Sequence, residues 1–170
     1  VNKTCGLHIH LDMRHRDVNQ CYIKLVRAQK LLFAMVPDFR AKNQYCQRVP
    51  NGDMPEASRS ANGSERYLAI NHHAYAKHRT LEIRLHSGTV EAVKINNWIA
   101  LLLKIINGPI MPRFPSTLKT VCSRLNIDYA LSKYIENRIK KFNKTHPIPF
   151  IDGYAKKKKQ LPVDLNNDPF

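Results

Sequence analysis

From Leu7 to Asp12 the chain alternates. Leu7, Ile9 and Leu11 fall on one side of an extended segment, and His8, His10 and Asp12 fall on the other. A period of two marks a half-buried strand. The period then changes: Val18, Tyr22, Leu25, Val26, Leu32, Phe33 and Val36 recur at helical spacing. This predicts a helix over residues 17–36, with Asp17 and Gln20 at capping-box spacing and Pro37 as its stop. Residues 48–64 are rich in Asn, Gly, Pro and Ser and hold no periodic apolar pattern. They read as a surface loop, either a cover for a site or a plain connection. Two more strands are expected, over residues 66–71 and 80–86. In the second, Leu81, Ile83 and Leu85 would face the core, with Glu82, Arg84 and His86 facing away. The intervening residues 71–79 hold His72, His73 and His78 and read as a hairpin connection.

After Gly88 a helix is expected over residues 91–106. It is apolar on nearly all sides, through Val93, Ile95, Trp98, Ile99 and residues 101–103, and should be buried. Gly108 and Pro109 end it. A Pro-rich turn (109–115) leads to a short helix (116–125) and a longer one (128–142). The longer helix has Leu131, Ile135, Ile139 and Phe142 on its core side, with Lys133, Arg138, Lys140 and Lys141 elsewhere on its surface. From about Asn143 onward the chain reads as a tail with a lysine run at Lys156, Lys157, Lys158 and Lys159 and no further core pattern. Strands and helices in this order predict an α+β domain over 1–143, followed by a basic tail over 144–170. No internal repeat is visible.

At 170 residues the chain suits one domain with a proper core. Lys and Arg number 28 against 13 Asp and Glu, a formal charge of +15. That excess points to an anionic partner (a nucleotide, a nucleic acid or an acidic substrate) or to one half of a larger protein whose other half is acidic. Cys5, Cys21, Cys46 and Cys122 are scattered, and no pair has the spacing of a zinc knuckle or a redox motif. A reduced, cytoplasmic setting is the simpler expectation. The most apolar run, 95–106, is too short to span a bilayer and contains Asn96, Asn97 and Lys104, so no membrane partner is expected. The first strong pattern begins at Cys5, close behind Val1, which raises the expectation that upstream sequence is missing or lies on another chain.

The two alternating strands carry the chemistry. Same-face neighbours on a strand lie about 6–7 Å apart, so His8 and His10 can reach one bound ion or nucleotide. If the strands pair, Glu82 and Arg84 join them. A carboxylate with an imidazole holds a divalent cation, and an arginine holds a phosphate bidentately. That combination suits phosphoryl chemistry. Taken singly, His-x-His on a wet strand and Glu-x-Arg on a sheet are ordinary surface patterns.

Together these residues resemble a known family. Cys5-Gly6-Leu7-His8-Ile9-His10 resembles the C-G-hydrophobic-H-x-H strand of the amidoligases, relatives of glutamine synthetase and glutamate–cysteine ligase. Arg66-Tyr67 through Asn71 resembles the family's R-Y-x-x-x-N segment. Thr80-Leu81-Glu82-Ile83-Arg84, with Gly88-Thr89 after it, resembles its T-hydrophobic-E-[FIV]-R strand and turn, and the helix through Asn97-Trp98-Ile99 resembles the one that follows. The resemblance implies a curved antiparallel sheet of the glutamine synthetase type whose concave polar face is the site, with N-terminal strands missing here. It implies an ATP- and Mg-dependent ligase that joins a carboxylate and an amine through an acyl phosphate. By that analogy His8 and Glu82 would be metal ligands, His10 a nucleotide contact, and Arg84 the holder of the phosphoryl group or carboxylate. Arg66 and Asn71 would be substrate or phosphate contacts. Family members carry an acidic E-x-E strand upstream, and the four residues before Cys5 hold no acid. An upstream segment or a second chain would then complete the site.

Two alternatives stay open on the residues. His8-Ile9-His10 also fits the His-hydrophobic-His motif of metal-dependent single-strand DNA nucleases, with Tyr129 or Tyr134 as nucleophile. A chain that kept the ligase fold without activity would be a structural or nucleic-acid-binding protein, with the lysines at 156–159 as its contact.

Overall fold

The computed structural model describes residues 5–50, 67–143 and 148–151. Three strands form one antiparallel sheet: β1 (Gly6–Asp12), β2 (Ile70–Asn71) and β3 (Thr80–Ser87), in the order β1-β3-β2. The fold is α+β, with a small sheet. β3 is the central strand, and His10 and Asn71 both pair with Glu82, one from each side.

The first helix, α1 (Val18–Ala34), begins where the sequence predicts, because the Asp17 carboxylate accepts the Gln20 backbone N–H at 3.0 Å. Pro37 does more than stop a helix. It caps a further short one, α2 (Asp38–Ala41), which no apolar period announces. Between β2 and β3 the expected hairpin connection is instead a helix, α3 (His73–His78). Six residues are too few to display a helical period. The cause is local: the Asn71 side-chain oxygen accepts the His73 N–H at 3.0 Å, and Arg79 adopts a left-handed φ of 55° that ends the helix.

α1 packs against β3, α4 (Ala92–Asn107) and α6 (Tyr129–Phe142), and a single cluster of buried residues joins them. Leu25, Leu31 and Leu32 of α1 meet Leu81, Ile83 and Leu85 of β3 and Trp98, Leu101 and Leu102 of α4 in that core. α4 is buried on one face only. Val93 is 67% exposed and Leu103 39%, so the expectation of burial on nearly all sides is corrected. α5 (Leu118–Leu125) and α6 start at Thr117 and Asp128, whose side chains accept backbone N–H groups of Thr120 and Leu131.

Four other expectations change. Of the described part of the strand expected over 66–71, residues 67–71, only Ile70 and Asn71 join the sheet, while Leu68 bridges Gln47 in parallel. Arg138 is not a surface residue of α6. It lies three positions after Ile135, on the core stripe, and is buried. The core continues past Asn143, since Ile148 and Phe150 are buried and the Phe150 carbonyl accepts the Leu118 N–H at 2.8 Å. His86 is buried as well. The loop over 51–64, Arg66 and the lysines at 156–159 lie outside the described residues.

Candidate active site

A bulge in β3 shapes the polar face. Ile9 pairs with Ile83, but Leu7 pairs with His86, so Arg84 and Leu85 together oppose the single residue His8. The extra residue reverses the alternation beyond it. Glu82 and Arg84 stay on the open face, and His86 turns into the core, where its ring centroid lies 4.9 Å from that of Trp98. The expectation that His86 joins the polar set is corrected on this ground.

The bulge carbonyls are held by Arg40, a 2% exposed residue at the C-terminal side of α2. Its Nη2 donates to the Arg84 carbonyl at 2.6 Å and its Nε to the Leu85 carbonyl at 3.3 Å. The guanidinium fits because residue 6 is glycine: a Cβ there would stand 2.7 Å from Arg40 Nη2 and 3.2 Å from His8 Nε2. Cys46 Sγ donates to the Arg40 carbonyl at 3.0 Å, and burial pushes the Cys46 thiol up. No apolar period or motif marks Arg40 in the sequence, and its role follows from the bulge alone.

On the open face the side chains converge on Glu82. Its Oε1 accepts from His8 Nδ1 at 2.8 Å and from Arg84 Nη1 at 2.9 Å, with His10 Nε2 at 3.9 Å. Its Oε2 accepts from Asn71 Nδ2 at 2.7 Å. The bond from the His73 N–H to the Asn71 oxygen fixes which end of that amide points at the carboxylate. Glu82 is buried, with a side chain 9% exposed, whereas His8 and His10 are 36% and 45% exposed. Burial alone would raise its carboxyl. The hydrogen bonds from His8 and Asn71 and the charges of Arg84 and His8 outweigh it and hold the group down at about 2.

The neighbours of this carboxylate are themselves fixed. Arg84 Nε donates to the Tyr45 carbonyl at 3.2 Å, and the Tyr45 and Tyr67 rings meet edge-on at 5.1 Å beside it. His10 Nδ1 shares a hydrogen bond of 2.9 Å with Thr80 Oγ1, and its ring stands edge-on to His78 at 6.0 Å. Of the expected set, His8, His10, Asn71, Glu82 and Arg84 come together. Tyr45, His78 and Thr80 are additions. Only Thr80 had a signal in the sequence, as the first residue of its motif. Tyr129 and Tyr134 sit on α6, which packs on α1 and α4, and among the described residues no hydrogen bond or ring contact joins either to His8 or His10.

Magnesium prefers near-octahedral oxygen ligands. Here one carboxylate faces two imidazoles, and both of its oxygens already accept hydrogen bonds. Among the described residues no group of three or more His, Cys, Asp or Glu side chains is placed to hold a metal ion. These residues by themselves do not fit a magnesium site.

Residues 51–106 match a family model described as "Putative amidoligase enzyme". The match covers about a third of the chain and includes Arg66, Asn71, Glu82 and Arg84, while His8 and His10 lie outside it. It falls in the family whose motifs the sequence resembles. No curated protein and no solved structure gives a significant match. Among the described residues no helix is long and apolar enough to cross a membrane.

Proposed function

We propose that the Glu82 cluster belongs to the active site of an ATP- and Mg-dependent carboxylate–amine ligase, on a sheet of the glutamine synthetase type. The observation that carries this reading is a buried, ionised carboxylate held between Arg84, Asn71 and His8, on the stretch that matches the amidoligase model. In the proposed reaction a substrate carboxylate oxygen attacks the γ-phosphorus of ATP and ADP departs. An amine then attacks the acyl carbon, phosphate leaves, and the amine gives up a proton.

In that scheme Glu82 anchors Arg84 so that its guanidinium is aimed before substrate arrives. Arg84 Nη2 has no partner among the described residues, and it would take a carboxylate or phosphoryl oxygen. Preorganisation of this kind lowers the barrier without reorganisation during the reaction. His10, anchored on Thr80, would touch the nucleotide, and Asn71 and Arg66 the substrate. His8 and Glu82 as metal ligands would have to exchange their 2.8 Å hydrogen bond for contacts to an ion. Further oxygen ligands would then come from the nucleotide's phosphates, an upstream segment or a second chain, and no step is assigned to magnesium on these residues.

The test incubates the full chain with Mg·ATP, hydroxylamine as amine and a panel of dicarboxylic and amino acids. Carboxylate-dependent hydroxamate with matching ADP is expected, and Arg84→Gln or Glu82→Gln should lower it about 100-fold or more. ATP turnover that is independent of any carboxylate, or indifferent to both substitutions, would overturn the reading.

A further inference from the structure

A second feature shares no residue with the Glu82 cluster. Along α1, opposite the turn over residues 112–116, a groove of about 740 Å³ is bordered by Arg27, Lys30, Arg48 and Arg113. Its remaining wall includes Phe114 and Phe150, and among the described residues no Asp or Glu lines it. None of the four cations forms an ion pair with a described carboxylate. Two are held in place by neutral groups. Arg27 Nη1 donates to the Met111 carbonyl at 2.7 Å, and the Arg48 guanidinium lies 3.9 Å from the centre of the Phe33 ring. Lys30 and Arg113 have no polar partner among the described residues.

Four like charges around one concavity repel one another, and a bound anion relieves that repulsion. The volume lies within the range of small-ligand sites, roughly 300–1,000 Å³. Three of the four groups are guanidinium forks, which suit phosphate oxygens in pairs. A single-stranded nucleic acid would need exposed aromatic faces for its bases. Here Phe150 is buried, Phe114 is half-buried against the core, and the nearby Phe33 ring is covered by Arg48. We propose that this groove binds a small polyanion bearing two or more phosphate groups, at a site separate from the Glu82 cluster.

The test is titration calorimetry of the full chain with inorganic tripolyphosphate at 50 and 150 mM salt, so as to bracket screening. One saturable site per chain is expected. Arg48→Gln and Arg113→Gln should each weaken it about tenfold. Lys42→Gln, which removes the same charge from an exposed residue outside the groove, should leave it within about twofold. Equal weakening by all three variants, several weak sites per chain, or binding that vanishes at 150 mM salt would overturn the proposal. So would an oligonucleotide that binds through Arg48 and Arg113 while tripolyphosphate does not.

Discussion

Leu7 faces His86 across the sheet, whereas Ile9, two residues further along the same strand, faces Ile83, three residues from His86 on the partner strand. The offset of one residue between these pairs is what separates the polar site from the buried histidine. It leaves Glu82 and Arg84 beside His8 and His10 and sends His86 to Trp98. The Arg84 and Leu85 carbonyls at the offset accept from Arg40 in place of a neighbouring strand. Replacing Arg40 with Met should leave those carbonyls without a donor and cost about 2–4 kcal/mol. Urea unfolding measures it, and a loss below about 0.5 kcal/mol would mean the bulge closes by other means.

Gly6→Ala tests the same packing from the other strand. The new methyl would press on Arg40, whose head is pinned by two carbonyls, so a loss of about 1–3 kcal/mol is expected. Combined with Arg40→Met, the two costs should add to much less than their sum, because the clash is with the group removed. Full additivity would show that Gly6 is needed for another reason.

Glu82 links stability to pH. Its carboxyl is held at about 2, against an ordinary value of 4.5. A group depressed in the folded state contributes stability that is complete above the unfolded value and is lost as pH falls through the folded one. Between about pH 4.5 and 2 the protein should therefore lose on the order of 3 kcal/mol through this residue. Unfolding of Glu82→Gln across that window should show a correspondingly shallower slope than the unsubstituted chain. Parallel slopes would show that Glu82 titrates normally.

His86 acts in a higher window. Burial pushes its imidazole down to about 4, helped by the charge of Arg138, although the bond to the Ser87 carbonyl pulls the other way. Its Nδ1–H donates to that carbonyl at 2.7 Å, and Nε2 faces Arg138 Nη2 at 3.5 Å, so a second proton has no acceptor to meet. The unfolded chain takes that proton near 6.5 and the folded one near 4. Stability is thus complete above about pH 6.5 and falls toward pH 4. Nitrogen-15 spectra should show the Nδ1–H tautomer persisting at pH 5, and an imidazolium at that pH would sink the assignment.

Asn71 separates hydrogen bonding from charge at the site. Asn71→Ala should raise the Glu82 carboxyl and cost about 1–2 kcal/mol, since a buried acceptor loses its donor. Asn71→Asp should cost more at pH 7, because two carboxylates would then face each other at hydrogen-bond distance. The gap between the two variants should close as the pH is lowered. Carbon-13 shifts of the Glu82 carboxyl and unfolding at pH 4 and 7 check both parts, and equal costs at both pH values would show that the 71–82 contact is not made.

The elements with a long period were legible from the chain alone. Strand alternation placed β1 and β3, and with them the faces of His8, His10, Glu82 and Arg84. The apolar patterns placed α1, α4 and α6, with Asp17, Gly108 and Asp128 at their ends, and a short helix was expected where α5 lies. These follow from the neighbours of each residue within a few positions, which is all that a period records. What depended on the third dimension was the partner of each strand and the consequence of one extra residue. The β1–β3 pairing brought His8 within 2.8 Å of Glu82. The bulge buried His86 and called for Arg40, whose guanidinium is paired with carbonyls more than forty residues away in sequence. Short α3 and the return of Ile148 and Phe150 to the core were hidden for the same reason. A capping side chain or a distant helix supplies what these segments lack, and neither leaves a repeat in the residues themselves.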